Sequence, residues 1–252
     1  MINSIHDKDV SSSIVRLMRQ EHEEKSALHE PSGKMSASQL GKPILEQVLK
    51  IIGVPPKPVD DYTLGLFRRG DSVEENFMEL MKPDEAQKPV EYKGVVGLID
   101  AIKNDRVYEI KSIKNSQFQY LNPENDKRQR RNGELVPIYS GVKRSNALQA
   151  GLYALAEGKD EFTIIYASAD DLRTIAHTVK TEDVKDEIEN IIDEVNKALK
   201  SGVLPVFVAK ESWQSDSRYS SYPEWISITP DTAMLKLKNN YPDAYKKLTG
   251  GK

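Results

Sequence analysis

The sequence predicts an α/β protein: a central mixed β-sheet flanked by helices, with a helical extension at the N-terminus. Three observations carry that prediction. Four β-prone runs fall in two pairs, 91–102 with 106–113 and 161–168 with 173–180. A helical stretch at 145–158 separates the pairs, and a strongly amphipathic one at 181–202 follows them. The length, 252 residues, suits one large domain with decorations.

Taken in order, residues 8–28 are polar with apolar Val10, Ile14, Leu17 and Met18, which predicts a helix with a narrow buried stripe. "EPSGKMSAS" (30–38) is a linker by composition. "SASQLGKPILEQVLKIIG" (36–53) predicts a helix capped by a hydroxyl residue and stopped by Gly53. Three prolines keep "VPPKPVDDY" extended. "DSVEENFMELMK" (71–82) predicts a short helix capped by Asp71 or Ser72. "EYKGVVGLIDAI" and "RVYEIKSI" are strands, with "KNDR" as the hairpin turn between them. "QYLNPENDKRQRRNGELVP" (119–137) is a polar excursion, expected as a loop or flap. "SNALQAGLYALAEG" is a helix ending at Gly158. "EFTIIYAS" and "RTIAHTVK" are strands joined by "ADDL". Thr181 caps the last helix, whose stripe is Val184, Ile188, Ile191, Ile192, Val195 and Leu199.

Composition excludes several classes. The net charge of −3 gives the surface no overall basic character, so any nucleic-acid contact must rest on a local patch. The absence of cysteine rules out disulfides, thiolate zinc sites and cysteine-held iron–sulfur clusters. No apolar run is long enough to span a membrane, and "MINSIHDKDV" lacks a signal-peptide core, so a soluble, cytoplasmic protein is expected. "LGKP" has no glycine five residues earlier and is not a phosphate loop. His177, alone in a strand, reads as structural.

The chemistry concentrates around "VYEIKSIK". Glu-x-Lys triplets also occur at Glu23–Lys25, Glu91–Lys93 and Glu157–Lys159. Only Glu109–Lys111 follows another β-run that ends in an acid, the Asp100 of "GVVGLID". One strand puts Glu109 and Lys111 on the same face, and a hairpin lays Asp100 beside Glu109. Two converging carboxylates repel unless a cation lies between them. All-oxygen ligation favours Mg²⁺ or Mn²⁺, which polarises a phosphoryl oxygen and acidifies water. Lys111 is then placed to orient or deprotonate that water and to offset charge on phosphorus. Without further context the same three residues read equally as a solvated hairpin face carrying a surface ion pair.

"GLID" at 97–100, "YEIKS" around Glu109–Lys111 and "QAGLY" at 149–153 together resemble the PD-(D/E)XK nuclease superfamily, and within it the RecB-type exonuclease branch that includes CRISPR-adaptation nucleases. The resemblance spans about residues 36–225. It implies a restriction-endonuclease-like core and a Mg²⁺- or Mn²⁺-dependent DNA exonuclease of recombination, repair or viral DNA processing, with virus-encoded origin left open. On the same core, a sequence-specific endonuclease or a catalytically inactive DNA-binding subunit is the alternative. The implied metal ligands are Glu74 (Glu75 as fallback, since the family has a histidine four residues after a glycine, here Gly70), Asp100, Glu109 and the Ile110 backbone carbonyl. Lys111 is the implied catalytic lysine, and Gln149 and Tyr153 share a helix face toward DNA. Many members clamp their ends with a four-cysteine iron–sulfur cluster. This chain has Ser217 and Ser220 in "SRYSSYPEW" and no cluster, so Trp213, Tyr219, Tyr222 and Trp225 are expected to clamp by packing. The implied domains are 1–35 (helical extension), 36–230 (nuclease) and 231–252 (tail).

DNA, single- or double-stranded with free ends, is the expected partner, and a homo-oligomer or a recombination protein is compatible with the reading. The basic run "DKRQRR" offers Lys127, Arg128, Arg130 and Arg131 to a phosphate backbone, with Lys114, Lys143 and Arg144 nearby and Tyr120 or Phe118 to stack on a base.

Overall fold

The valine- and isoleucine-rich runs pair into one mixed sheet. The computed structural model describes residues 8–27, 33–124, 128–131, 134–137 and 141–250. Its strands are β1 (Met35–Ser36), β2 (Glu85–Tyr92), β3 (Val95–Lys103), β4 (Arg106–Ile113), β5 (Arg128–Arg131), β6 (Glu134–Pro137), β7 (Glu161–Ser168) and β8 (Thr174–Lys180). Its helices are α1 (Lys8–Ala27), α2 (Ile44–Ile52), α3 (Asp61–Met81), α4 (Asn115–Leu121), α5 (Arg144–Ala156), α6 (Glu182–Ser201), α7 (Pro230–Asn240) and α8 (Pro242–Thr249).

The main sheet runs β1-β3-β4-β7-β8, with β2 also on β3. β2 lies antiparallel along one edge of β3, from Glu85↔Ile102 to Tyr92↔Val95. The other edge is shared. β1 takes its start in parallel, at Met35↔Val95, and β4 takes its end antiparallel, at Ala101↔Tyr108 to Lys103↔Arg106. Between them residues 97–100 of β3 have no ladder partner on that edge, and the functional side chains gather there. β4 and β7 pair in parallel, which requires a crossover, and α5 supplies it. α5 packs across β2, β3, β4 and β7, with α6 behind it and α2 and α8 against α6. Ile188, Ile192 and Val195 of α6 are buried, as the predicted stripe requires.

Several expectations change. Val10, Ile14 and Leu17 are exposed rather than a buried stripe; α1 meets α3 through the Arg68–Glu21 and Arg19–Asp61 ion pairs and the His22–Phe67 ring contact. The described part of the supposed linker is core: Met35 bridges to β3, and Met35 and Ala37 are buried. α2 starts only at Ile44, with Pro43 rather than a hydroxyl residue at the cap position, because Pro43 cannot sit inside a helix. Gly53 ends it in the left-handed conformation, as predicted. The helix expected at 71–82 begins ten residues earlier, capped by Asp60, whose side chain accepts the Thr63 N–H at 2.8 Å. Gly65 and Gly70 weaken that helix without breaking it, since each costs only about 1 kcal/mol in a 21-residue helix. β2 is largely unforeseen: only Glu91 and Tyr92 fall in the predicted strand 91–102, which the turn at Lys93–Gly94 divides between β2 and β3. It is charged, contains Pro89 and is largely exposed, so neither pattern nor propensity marks it. The polar excursion begins inside α4, whose last residues it includes, and carries the two-stranded β5–β6 ladder. Thr181 occupies the cap position of α6 but gives its hydroxyl to Lys159 O (2.7 Å).

Candidate active site

β4 carries Glu109 and Lys111 two residues apart, and the pleat sends both to one face. The β4–β7 register sets Glu109 level with Ile164 and Lys111 level with Tyr166. Glu109 is fully buried, which removes the solvated-hairpin alternative. The Lys111 ammonium contacts Glu109 Oε1, and the lysine side chain is partly exposed. Neither Glu109 oxygen accepts a hydrogen bond of ordinary geometry.

β3 delivers Asp100. The β3–β4 ladder stops at Ala101↔Tyr108, and the next facing pair is Asp100 and Glu109. Asp100 Oδ2 accepts the Ile110 N–H at 2.7 Å, which locks the carboxylate toward β4. Ile99 through Ile102 are all buried, so this end of β3 is covered on both faces. In the β2–β3 register Asp100 lies opposite Gln87, which holds a left-handed φ of 49°. Such a non-glycine conformation costs about 1–3 kcal/mol. The Gln87 amide hydrogen-bonds Glu74 on α3.

Electrostatics join the four charged groups. Burial pushes Glu109 up to about 8, with Lys111 opposing and Asp100 and Glu74 adding repulsion. Burial and then the Asp100 charge lift Glu74 to about 7, against Lys111 and Gln87. Burial also raises Asp100, with Lys111 and the Ile110 N–H pulling the other way. Burial alone would lower Lys111, but Glu109, Asp100 and Glu74 outweigh it and hold the ammonium charged. In this state the Lys111 ammonium is the counter-charge to the three carboxyls. Burial raises all three carboxyls, so the cluster holds protons near neutral pH that a divalent cation between them would displace. Glu109 Oε2, buried without a donor, and the all-carboxylate donor set fit a hard cation. Among the described residues no three acid or histidine side chains stand in a finished metal cage. Glu74 is turned to Gln87 and Glu109 to Lys111. Glu75 is exposed, so of the two candidates Glu74 faces the cluster.

Gln149 and Tyr153 share a face of α5, with Gln149 Nε2 donating to Tyr153 OH at 3.0 Å. Tyr153 is both core and site. It is buried, and its hydroxyl is pushed up by burial and by the Glu109 and Asp100 charges. Its ring lies on Gly97, where an added Cβ would come within 2.3 Å of Tyr153 Cε1. The glycine of "GLID" and the tyrosine of "QAGLY" are thus two sides of one contact. Tyr166, which the sequence did not single out, accepts the Lys143 N–H (3.0 Å) and an Asn146 amide hydrogen bond, tying the start of α5 to β7.

The basic residues scatter. Lys114 lies over the Tyr62 ring at 4.9 Å, and Lys143 donates to Gln117 (3.0 Å) with its pKa lowered by burial. Arg144 pairs with Glu187 (2.7 Å) and, with Lys111 and Lys143, borders one cleft. Phe118 is buried beneath Arg173, so of the two proposed stackers only Tyr120 is exposed. Arg128 is exposed at the start of β5; Lys127 and the side chains of Arg130 and Arg131 fall outside the described residues. The expected aromatic clamp divides. Tyr222 and Trp225 are buried, and the Tyr222 hydroxyl donates to Val54 O (3.1 Å). Trp213 and Tyr219 stay exposed on a cleft of about 860 Å³ that also borders Lys111. Ser220, at a cysteine position of the resemblance, donates to buried Glu46 (2.7 Å) and helps tie the chain end to α2.

No protein-family model matches the sequence, and neither does any curated protein. Solved structures align loosely. The exonuclease LHK-Exo in complex with dAMP aligns at a TM-score of 0.46 and 11% identity over 68% of this chain and 92% of its own. The alkaline exonuclease LHK-Exo from Laribacter hongkongensis gives 0.45 and 12% over 67% and 91%. The protein SSO0001 gives 0.46 and 12% over 84% and 94%. Overlays this loose transfer neither residues nor activity. Among the described residues no helix is long and apolar enough to cross a membrane.

Proposed function

We propose that the chain is a Mg²⁺- or Mn²⁺-dependent deoxyribonuclease that removes nucleotides from DNA ends. The observation that carries this reading is the buried Asp100–Glu109 pair facing Lys111, with Glu109 Oε1 held by the ammonium and Oε2 left without a donor. Asp100, Glu109 and, after release from Gln87, Glu74 would hold the cation, with the Ile110 carbonyl as a further oxygen. When bound, the cation supplies Lewis acidity toward a phosphodiester oxygen and a water. The Ile110 N–H keeps Asp100 in one rotamer, so the donor pair is set before substrate arrives. Lys111 remains an ammonium and offsets the charge that builds on the phosphoryl oxygens during in-line attack. Gln149, fixed by Tyr153, orients the strand beside them.

The test is an end-labelled DNA panel, linear and covalently closed, single- and double-stranded, with Mg²⁺, Mn²⁺ or chelator. Linear DNA should shorten from an end only with metal, and closed circles should persist. Degradation in excess chelator overturns the metal reading. Rapid nicking of circles replaces the exonuclease with an endonuclease.

A further inference from the structure

The cleft beside Lys111 has a wall that the proposed hydrolysis does not use. Trp213 and Tyr219 stand there with ring centroids 6.1 Å apart at 87°, 39% and 57% exposed. Large aromatics left open in a concave site are unusual when burying them would stabilise the fold. They are also held in place. Trp213 lies in the 3₁₀ turn Ser212–Ser215, closed by a capping box between Glu211 and Gln214. Gln214 is buried, donates to Gly41 O at 2.7 Å and accepts the Lys210 N–H at 2.7 Å. Gly41 in turn touches the first turn of α5, where a Cβ would come within 2.4 Å of Ser145 Cβ. The ring is therefore bolted to the same helix that carries Gln149 and Tyr153. Lys42 lies 5.6 Å from the Trp213 centroid, and Lys143 borders the cleft. The volume lies within the roughly 300–1,000 Å³ of small-molecule sites, enough for a nucleotide unit and part of its neighbour.

We propose that this cleft seats an unpaired nucleotide next to the scissile phosphate, with its base stacked on the Trp213 ring, the perpendicular Tyr219 ring against the base's edge, and its phosphates toward Lys42 and Lys143. This deepens the nuclease reading and rests on it: the substrate at the cleft is a single strand, or a duplex end frayed by stacking on this wall. A base inside a duplex is covered on both faces by its neighbours and cannot lie on a side-chain ring. An unpaired one can, whatever its identity, so the seat selects for single-strandedness rather than sequence.

The experiment measures binding in chelator, where hydrolysis is off. The probes are a fluorescently labelled oligothymidylate and an abasic strand of the same length and charge. Affinity is read by anisotropy, and unlabelled strands serve for tryptophan quenching. Trp225 is 1% exposed, so quenching by a base reports Trp213. Oligothymidylate should quench and bind more tightly; the abasic strand should not quench. Trp213→Ala and, separately, Tyr219→Ala should weaken oligothymidylate binding about 5- to 150-fold, the span of a single stacked base, and leave abasic-strand binding unchanged. Trp213→Phe should keep most of the affinity while losing the quench. Equal binding of both strands, or wild-type affinity in both alanine variants, overturns the stacking seat. Wild-type hydrolysis of linear DNA with Mn²⁺ is scored in parallel. Hydrolysis with base-blind binding removes the seat alone. Base-dependent binding without hydrolysis removes the nuclease reading and keeps the seat as a strand-binding site.

Discussion

Replacing Gly97 by alanine should unseat Tyr153. The added Cβ would come within 2.3 Å of Tyr153 Cε1 and 3.1 Å of Ala37 Cβ, closer than side-chain atoms tolerate. Tyr153 is 3% exposed, so its ring has no open space to turn into. Overpacking of this kind costs about 1–3 kcal/mol. Alanine also restricts the unfolded chain, which offsets about 0.4–1 kcal/mol where the backbone accepts it, leaving a net loss of about 1–2 kcal/mol. For a chain of this size that lowers Tm by about 2–8 °C. Activity should fall further than stability, because the displaced ring loses its hydrogen bond with Gln149 and shifts the face that positions the strand. The assay is a urea titration with DNA hydrolysis measured well below the unfolding transition. Gly70→Ala is the control: nothing lies within 4 Å of its Cβ, and it should stabilise α3 by about 0.5–1 kcal/mol. In a Tyr153→Ala background, Gly97→Ala should cost much less, since the obstructing ring is gone and only the 3.1 Å approach to Ala37 Cβ remains. The same loss with and without the ring would refute the contact as the reason for this glycine.

The remaining expectations concern the charges and one cap. Asp100→Ala and Glu109→Ala should each abolish DNA hydrolysis and calorimetric Mn²⁺ binding while the protein stays folded by circular dichroism; wild-type turnover in either variant would mean that other acids do the work. Lys111→Ala should lower turnover by orders of magnitude with Mn²⁺ binding retained, whereas the roughly 0–1 kcal/mol of an exposed pair would leave the rate untouched; Lys111→Arg should not restore it, because the planar guanidinium cannot occupy the same point beside Glu109. Asp60→Ala should destabilise α3 by about 1 kcal/mol in thermal unfolding by removing the hydrogen bond from the Thr63 N–H, with no change in metal binding.

Local patterns carried much of this molecule. The strands around Asp100 and Glu109, the turn at Asn104–Asp105, the helix holding Gln149 and Tyr153 and the stripe of α6 all stand where period and turn chemistry put them. They are legible because each answers to near neighbours in sequence: alternation for β4, three- and four-residue spacing for α6. β2 escaped because an exposed strand on one edge of β3 is under no demand to alternate, and its place is set by its partner. The stripe on α1 misled because spacing shows that apolar residues share a face, not that anything covers it.

The residue types and spacing of Asp100, Glu109 and Lys111 are properties of the sequence alone, and so is their placement on neighbouring strands. Whether that pair is a surface ornament or a buried cluster of carboxyls around one ammonium was decided only in three dimensions. α5 and the core close over Glu109, so the cost of burying a carboxylate appears only once distant segments have packed. The same holds for Gln87, which meets Glu74 from another element, and for Trp213, which Gln214 ties to Gly41 across 173 positions of chain. A short-range pattern encodes the geometry of one element. Burial, charge coupling and the wall of a cleft are sums over segments far apart in sequence, and no local pattern contains them.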